Sequence, residues 1–89
     1  MKSHTTKRFR TALAALPTQV RDQAREVYRR FIVDPRHPGL QLKRVHPIQP
    51  VYSVRINLDF RAVGLLEGDT ILWLWIGRHA EYERLLKQL

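Results

Sequence analysis

Two arginines, Arg55 and Arg61, have the residue type and spacing to act on a phosphate group. Apolar and polar residues alternate from Val51 to Asn57, which predicts a strand whose Arg55 points away from the apolar face. Arg61 lies in the next predicted strand and is expected beside it. A guanidinium presents a planar fork of donors that matches phosphate oxygens, so the pair could bind a phosphate or stabilise a pentacoordinate intermediate. Alternatively, each arginine is a solvated strand residue paired with Asp59 or Glu67.

A second group of reactive side chains follows the longest apolar run of the chain, Ile71 to Ile76. Gly77 is followed directly by Arg78 and His79, and Tyr82 comes one helical turn later. An imidazole can give or accept a proton, and Tyr82 would lie on the same helix face as His79, so the two could act on one substrate atom. In the alternative interpretation, His79 only caps a helix and Tyr82 only packs its ring on the sheet.

A row of arginines lies on the second predicted helix. Arg21, Arg25 and Arg29 recur every four residues, with Asp22 and Glu26 interleaved. The row could be a phosphate track on which Arg25 and Arg29 contact a nucleic acid without reading its sequence. It could also be a solvated helix face on which the carboxylates pair with the arginines.

The elements that must position these residues are two helices, four strands and a final helix. The predicted helices cover about residues 6–15, 17–33 and 79–89, and the predicted strands cover 42–46, 51–57, 60–66 and 70–76. Thr5 or Thr6 would cap the first helix, Pro17 would open the second, and Gly77 would end the last strand. Short connections between the later strands predict a four-stranded antiparallel sheet, packed on one face by an N-terminal helical hairpin. The fold class is therefore α+β, in the order ααββββα, with the other face of the sheet open.

Size and charge limit the class of protein. The 89 residues leave room for a single domain, residues 1–89, with a small core. Sixteen Lys and Arg against eight Asp and Glu give a net charge of +8. That excess favours a polyanionic partner, with nucleic acid ahead of an acidic protein or an anionic membrane.

Several kinds of site are not expected from the composition. The chain has no cysteine, which excludes disulfides, thiolate catalysis and Cys-based zinc sites. A metal site built from His37, His46 and His79 would need three distant segments to converge, so no metal is expected. The first ten residues lack a signal-peptide pattern, and no apolar run reaches membrane length. A cytoplasmic location is therefore expected.

Residues 40–86 resemble the toxins of the RelE/ParE superfamily, which form one half of bacterial toxin–antitoxin pairs. The resemblance lies in Gly39-Leu40, in Tyr52-Ser-Val-Arg-Ile-Asn-Leu-Asp-Phe-Arg61-Ala-Val, and in the closing Ile76-Gly-Arg-His-Ala-Glu-Tyr82. The helical pattern upstream agrees with the family, so the resemblance covers nearly the whole chain. It implies a RelE/ParE-like fold, a cognate antitoxin as partner, and a RelE-like enzyme that cleaves mRNA on the ribosome without a metal or cofactor.

The resemblance also implies roles for single residues. Arg61 matches the family's phosphate-stabilising arginine, and Arg55 stands where a basic residue lies on the preceding strand. Arg78, His79 and Tyr82 fall in the segment that holds the terminal catalytic group. Attack of a ribose 2′-hydroxyl on the adjacent phosphate needs a base, a charge clamp and an acid for the leaving oxygen. The two strand arginines would clamp charge, His79 or Tyr82 would move protons, and Tyr82 could also stack on a base.

At one position the chain departs from the family pattern. Ser53 stands where some nucleases of the group carry a second lysine on the same strand face, so the general base stays open. Ser53, Lys43 and Arg78 are expected to contact the substrate. The superfamily also contains ParE-like members that poison DNA gyrase, and a degenerate, non-catalytic module that binds an antitoxin and nucleic acid is a third alternative. His79 together with Tyr82 favours the nuclease.

Overall fold

The computed structural model describes residues 1–88, which form a five-stranded sheet and three α-helices. In chain order the elements are β1 (Lys2–Thr5), α1 (Lys7–Ala14), α2 (Thr18–Val33), a 3-10 turn (Pro38–Leu40), β2 (Lys43–Arg44), β3 (Val51–Arg55), β4 (Phe60–Glu67), β5 (Thr70–Arg78) and α3 (His79–Gln88). The strand order across the sheet is β1-β5-β4-β3-β2. The α+β class is confirmed, and every predicted helix and strand is present.

The first strand, β1, was not predicted from the sequence. It pairs in parallel with β5 at the edge of the sheet, with Lys2 opposite Thr70 and Thr5 opposite Trp73. The remaining pairs are antiparallel, as predicted. The segment Lys-Ser-His-Thr is polar throughout and mostly exposed, so it carries none of the alternation by which a half-buried strand is recognised.

The helices α1 and α2 cover one face of the sheet, which we call the helix face. Phe9 of α1 stacks on Trp73 with ring centroids 6.1 Å apart, and Phe31 of α2 meets the same ring edge-on at 5.4 Å. Val54 and Ala62 complete this cluster from the sheet side. These apolar contacts form the larger part of the core.

The opposite face of the sheet, which we call the α3 face, is covered in part by the C-terminal helix. Tyr82 of α3 packs on Val51, Val63 and Trp75, and all four side chains are buried. The expectation that this face is open is therefore wrong over the part that α3 covers. Leu85 and Leu86 extend the contact, since they recur one turn after Tyr82 on the same side of the helix.

A β-bulge in β5 changes the face to which its side chains point. Val63 lies opposite Trp75 and Gly64 lies opposite Trp73, so Leu74 has no partner in the register. One extra residue reverses the alternation of side chains beyond it. Trp73 therefore packs on the helix face, whereas Leu74 and Trp75 both pack under α3.

The Thr6 side chain joins the start of α1 to strand β5. Thr6 is its N-cap: the Thr6 hydroxyl accepts a hydrogen bond from the Phe9 N–H and donates to the Trp73 carbonyl, each 3.1 Å long. Thr6→Ala removes both bonds and is expected to lower the free energy of unfolding by about 1–2 kcal/mol. Thr11→Ala, at an exposed position within α1, is the control and should change it by only a few tenths of a kcal/mol. Urea denaturation measures both, and equal losses would contradict the capping role.

Candidate active site

Arg55 and Arg61 lie side by side on the α3 face of the sheet. They are directly opposite each other in the β3–β4 register, and Gly77 of β5 lies opposite Arg61. Directly opposed residues point to the same face, so the predicted pairing of the two arginines is observed. The ion pairs that residues 1–88 form are Arg25–Asp22 and Arg29–Glu26, so neither strand arginine is paired with a carboxylate there.

The guanidinium of Arg61 is held from three directions. Its Nη2 donates to the Ser53 hydroxyl at 3.3 Å and approaches the Gln41 carbonyl at 3.5 Å. Its central carbon lies 5.4 Å from the centre of the Tyr82 ring, within the range of a cation–π contact. The Nε–H is buried and has no hydrogen-bond partner among the described residues. A buried donor of this kind is costly when unpaired.

Ser53 joins Arg61 to Tyr82. Its hydroxyl accepts hydrogen bonds from Arg61 and from the Tyr82 hydroxyl, the latter at 3.4 Å. The Ser53 side chain is fully buried, with 0% of the residue exposed, because α3 covers this part of the sheet. The expectation that Ser53 contacts substrate directly is therefore incompatible with this geometry. Ser53 instead orients the two larger groups.

His79 is the exposed proton-carrying group next to this cluster. It opens α3, and its backbone N–H donates to the Asp59 carbonyl at 2.7 Å, which ties the start of the helix to the β3–β4 turn. Its ring lies 5.6 Å from the ring of Tyr82, centre to centre. Tyr82 itself is only 6% exposed. His79 therefore faces solvent, whereas the Tyr82 hydroxyl is directed inward to Ser53.

Gly77 leaves room for an aromatic stack beside the arginines. A Cβ atom at Gly77 would lie 2.5 Å from the Trp75 ring, closer than van der Waals contact allows. The Trp75 ring in turn stacks on Tyr82 with centroids 6.5 Å apart. The absence of a side chain at Gly77 thus lets Trp75 support Tyr82, and Tyr82 supports Arg61. The prediction that Gly77 ends the strand was wrong, since β5 continues to Arg78.

Arg78 does not join this cluster. It lies opposite Phe60 in the register, one residue beyond Gly77, and alternation directs its side chain toward the helix face. Its guanidinium carbon lies 5.0 Å from the centre of the Phe60 ring. The expectation that Arg78 shares the surface of Arg55 and Arg61 is therefore corrected.

Lys43 extends the cationic surface toward the sheet edge. It is exposed and lies opposite Ser53 in the β2–β3 register, so it points to the α3 face. Lys43 borders a shallow depression that is also lined by Tyr82 and Leu86. The phosphate backbone of a nucleic acid that passes over Arg55 and Arg61 could reach Lys43.

Arg25 and Arg29 lie away from the cluster. Both are on α2, which covers the other face of the sheet, and both are exposed. Arg25 pairs with Asp22, and Arg29 pairs with Glu26. This matches the interpretation of α2 as a solvated face with interleaved charges.

Gln41 is a member of the site that sequence reasoning missed. Its φ of 47° lies in the left-handed region, which is uncommon for a residue other than glycine. This conformation follows the 3-10 turn at Pro38–Leu40 and brings the Gln41 carbonyl to within 3.5 Å of Arg61 Nη2. Glycine or asparagine would have signalled such a conformation, whereas glutamine carries no such signal.

Residues 1–88 contain neither a cluster of metal ligands nor an apolar helix of membrane length. Over that range no three histidine, aspartate or glutamate side chains are grouped so that they could hold a metal ion. None of the helices there combines the length and the apolar character that crossing a membrane requires.

Comparison with known proteins identifies the family. The sequence model of the ParE-like toxin domain matches residues 18–84, which is most of the chain and includes Arg55, Arg61 and Tyr82. The chain belongs to this family. The RelE/ParE recognition made from the sequence is thus confirmed. A sequence comparison with curated proteins gives no match.

Solved structures of other toxins share the fold of this ParE-like toxin domain. The YoeB/ParE toxin from Agrobacterium tumefaciens superposes with a TM-score of 0.73 at 14% identity, covering 89% of this chain and 99% of that one. The RelB–RelE antitoxin–toxin complex from Methanococcus jannaschii gives 0.70 at 17% identity, covering 92% and 96%. A copper-bound mutant toxin from Helicobacter pylori gives 0.67 at 23% identity, covering 91% and 97%.

Proposed function

We propose that this toxin domain is an endoribonuclease that cleaves mRNA on the ribosome. The observation that carries the proposal is the pair Arg55 and Arg61, adjacent on the α3 face and without a carboxylate partner in residues 1–88. The exposed His79 supplies a proton-transfer group at the same surface.

The reaction is attack of a ribose 2′-oxygen on the adjacent phosphorus. The 2′-hydroxyl loses its proton as the new P–O2′ bond closes a 2′,3′-cyclic phosphate, the P–O5′ bond breaks, and the departing 5′-oxygen takes up a proton. Arg55 and Arg61 stabilise the negative charge that builds up on the phosphate oxygens in the transition state. Ser53 and Tyr82 position Arg61 through the hydrogen bonds and the ring contact described above.

His79 is the group that we assign to proton transfer. It is the exposed member of the His79–Tyr82 pair, whereas the Tyr82 hydroxyl is buried and bonded to Ser53. His79→Asn is expected to lower the rate of mRNA cleavage by about 100-fold or more, the contribution typical of general acid–base catalysis. The rate is measured with purified protein and programmed ribosomes. His4→Asn, at an exposed position in β1, is the control and should keep the wild-type rate.

The Tyr82→Phe variant distinguishes whether Tyr82 transfers protons or positions Arg61. If Tyr82 moved protons, Tyr82→Phe would lower the rate as strongly as His79→Asn. If it positions Arg61, the phenylalanine ring keeps the cation–π contact and loses only one weak hydrogen bond. We expect Tyr82→Phe to retain at least about a tenth of the wild-type rate.

The nuclease proposal is tested in cells by mapping transcript ends. Induced expression should produce new 5′ ends within translated messages, and these should be absent from messages that lack a start codon. Arrest of growth without new 5′ ends would contradict the proposal.

A cognate antitoxin is the protein partner that we propose. Several of the similar solved structures are antitoxin–toxin complexes, including the RelB–RelE complex named above. With a net charge of +8 on this chain, an antitoxin with acidic segments would be attracted to it. Purification of the coexpressed pair as one complex, dissociated by high salt, would support the electrostatic part of this proposal.

Gyrase inhibition is the second candidate function. The matching family model describes a ParE-like toxin domain, and Ser53, buried and hydrogen-bonded, takes the place of a strand lysine that could serve as a base. A supercoiling assay with purified protein tests it. Inhibited supercoiling or trapped cleaved DNA would favour gyrase inhibition as the function, whereas unchanged supercoiling would rule it out.

A further inference from the structure

The middle of α2 stands over a cavity. The buried residues of this helix are Val20 and Phe31, near its two ends. Between them, Ala24 and Val27 are only half-buried, although all four belong to the same apolar stripe. They line a cavity of about 570 Å³ that lies between α1, α2 and the helix face of the sheet. The central turns of α2 therefore lie over a space that the side chains of the helices and of the sheet do not fill.

The floor of this cavity is strongly apolar. Val54, Ala62, Trp73 and Ile76 line it from three strands, next to the half-buried Ile56. Phe9 and other apolar side chains of α1 close one side. No aspartate or glutamate occurs among the lining residues that the structure describes. A ligand that enters must present an apolar body to this floor.

The mouth of the cavity carries positive charge. Arg10, Arg21 and Arg25 border it, together with the exposed His4. Arg10 donates to the backbone carbonyl of Thr5 at 2.8 Å, and Arg21 donates to a threonine hydroxyl at 3.0 Å. Both acceptors are uncharged oxygens, so the charges of Arg10 and Arg21 are not neutralised by a carboxylate within residues 1–88. Arg25, in contrast, forms an ion pair on α2.

We propose that this cavity binds a small anionic amphiphile, a straight-chain carboxylate whose chain lies on the apolar floor and whose head group meets Arg10 and Arg21. The volume suits a ligand of this size, since binding pockets for small molecules occupy roughly 300–1,000 Å³. The combination of an apolar floor and an uncompensated cationic mouth selects an anion with an apolar tail over a neutral or cationic one.

The proposed site is distinct from the arginine surface. Val54 and Ala62 face the cavity, whereas their chain neighbours Arg55 and Arg61 project from the opposite side of the same strands. Binding in the cavity is therefore measurable whether or not the domain cleaves RNA. The inference stands independently of the proposed function.

Methyl NMR of the full chain, titrated with dodecanoate below its micelle concentration, tests the proposal. We expect saturable shifts of the methyl signals of Ala24, Val54 and Ile76, which line the cavity. The methyl signals of Val63 and Leu65, on the α3 face, should stay in place. Dodecanol and dodecyltrimethylammonium, which have the same chain without the negative charge, should bind at least about tenfold more weakly.

Matched charge variants separate the site from general attraction to a basic protein. The Arg10→Gln/Arg21→Gln double variant is expected to weaken dodecanoate binding about tenfold or more, as the loss of charge-assisted hydrogen bonds predicts. Arg29→Gln/Arg30→Gln removes the same charge from α2 outside the cavity lining and should change the Kd by less than about twofold.

Three results would overturn the proposal. Shifts that grow without saturation on both faces of the sheet would mean non-specific binding of the anion. Equal weakening in the two double variants would mean that only net charge matters. Unmoved methyl signals would show that dodecanoate does not enter, and would favour an apolar side chain of a protein partner as the occupant.

Discussion

Replacing Arg61 by lysine is expected to lower the rate of mRNA cleavage by at least about 100-fold, although the positive charge is retained. Lysine has a single ammonium group in place of the planar fork, so it cannot contact Ser53 and a phosphate oxygen in the same orientation. It also lacks the flat guanidinium that lies over the Tyr82 ring. Single-turnover cleavage on programmed ribosomes measures the effect, because it isolates the chemical step from product release.

Arg29→Lys is the matched control for this prediction. Arg29 is an exposed arginine on α2, on the other side of the sheet from Arg55 and Arg61, and its partner is Glu26. The lysine variant should therefore keep the wild-type rate. Both variants should unfold within about 1 kcal/mol of wild type, because neither substitution removes apolar packing. A wild-type rate for Arg61→Lys would mean that charge alone is sufficient, and the proposed fork geometry would be wrong.

Gly77→Ala should destabilise the domain by about 1–3 kcal/mol and also lower its activity. The new Cβ would lie 2.5 Å from the Trp75 ring, so Trp75 must move. Because Trp75 stacks on Tyr82, and Tyr82 lies under Arg61, the displacement reaches the arginine pair. Urea denaturation measures the stability, near-ultraviolet circular dichroism reports the aromatic stack, and cleavage assays report the site.

Gly68→Ala separates backbone strain from this packing effect. Gly68 has a φ of 58°, so alanine there is strained by about 1–2 kcal/mol, but nothing lies within 4 Å of the added Cβ. The two variants should therefore lose comparable stability, whereas only Gly77→Ala should change the aromatic circular dichroism and the cleavage rate. Equal activity in both variants would disprove the link from Gly77 through Trp75 to Arg61.

The arginine pair was predictable because it depends on the simplest property of a strand. Alternation along 51–57 and the short β3–β4 connection bring Arg55 opposite Arg61, and the structure has that register. The same reasoning failed for Arg78, because the strand was predicted to end at Gly77. Since β5 runs on by one residue past Gly77, alternation sends Arg78 to the other face. A boundary error of this size is enough to move a side chain across a sheet.

Other features depend on contacts between distant segments and could not be predicted. The polar strand β1 is specified by its pairing with β5 and not by its own pattern. Ser53 was expected at the surface because alternation directs it to the sheet face that was expected to be open, but α3 covers it and Tyr82 donates a hydrogen bond to it. Which side chains of β5 face α3 depends on the bulge at Leu74, which has no signature in the sequence. Leu89, predicted as the last residue of that helix, lies outside the described residues.

The most direct test of the central claim uses an mRNA with one ribose altered. A message is translated in a reconstituted system with the purified toxin domain, and its cleavage position is mapped. The same message is then prepared with a 2′-deoxy sugar on the 5′ side of that position. We predict that the unmodified message yields a 5′-hydroxyl end and a 2′,3′-cyclic phosphate, and that the deoxy message is not cut there, because the attacking 2′-oxygen is missing. Cleavage that persists at the deoxy position, or a message that stays intact while gyrase is inhibited, would contradict the account.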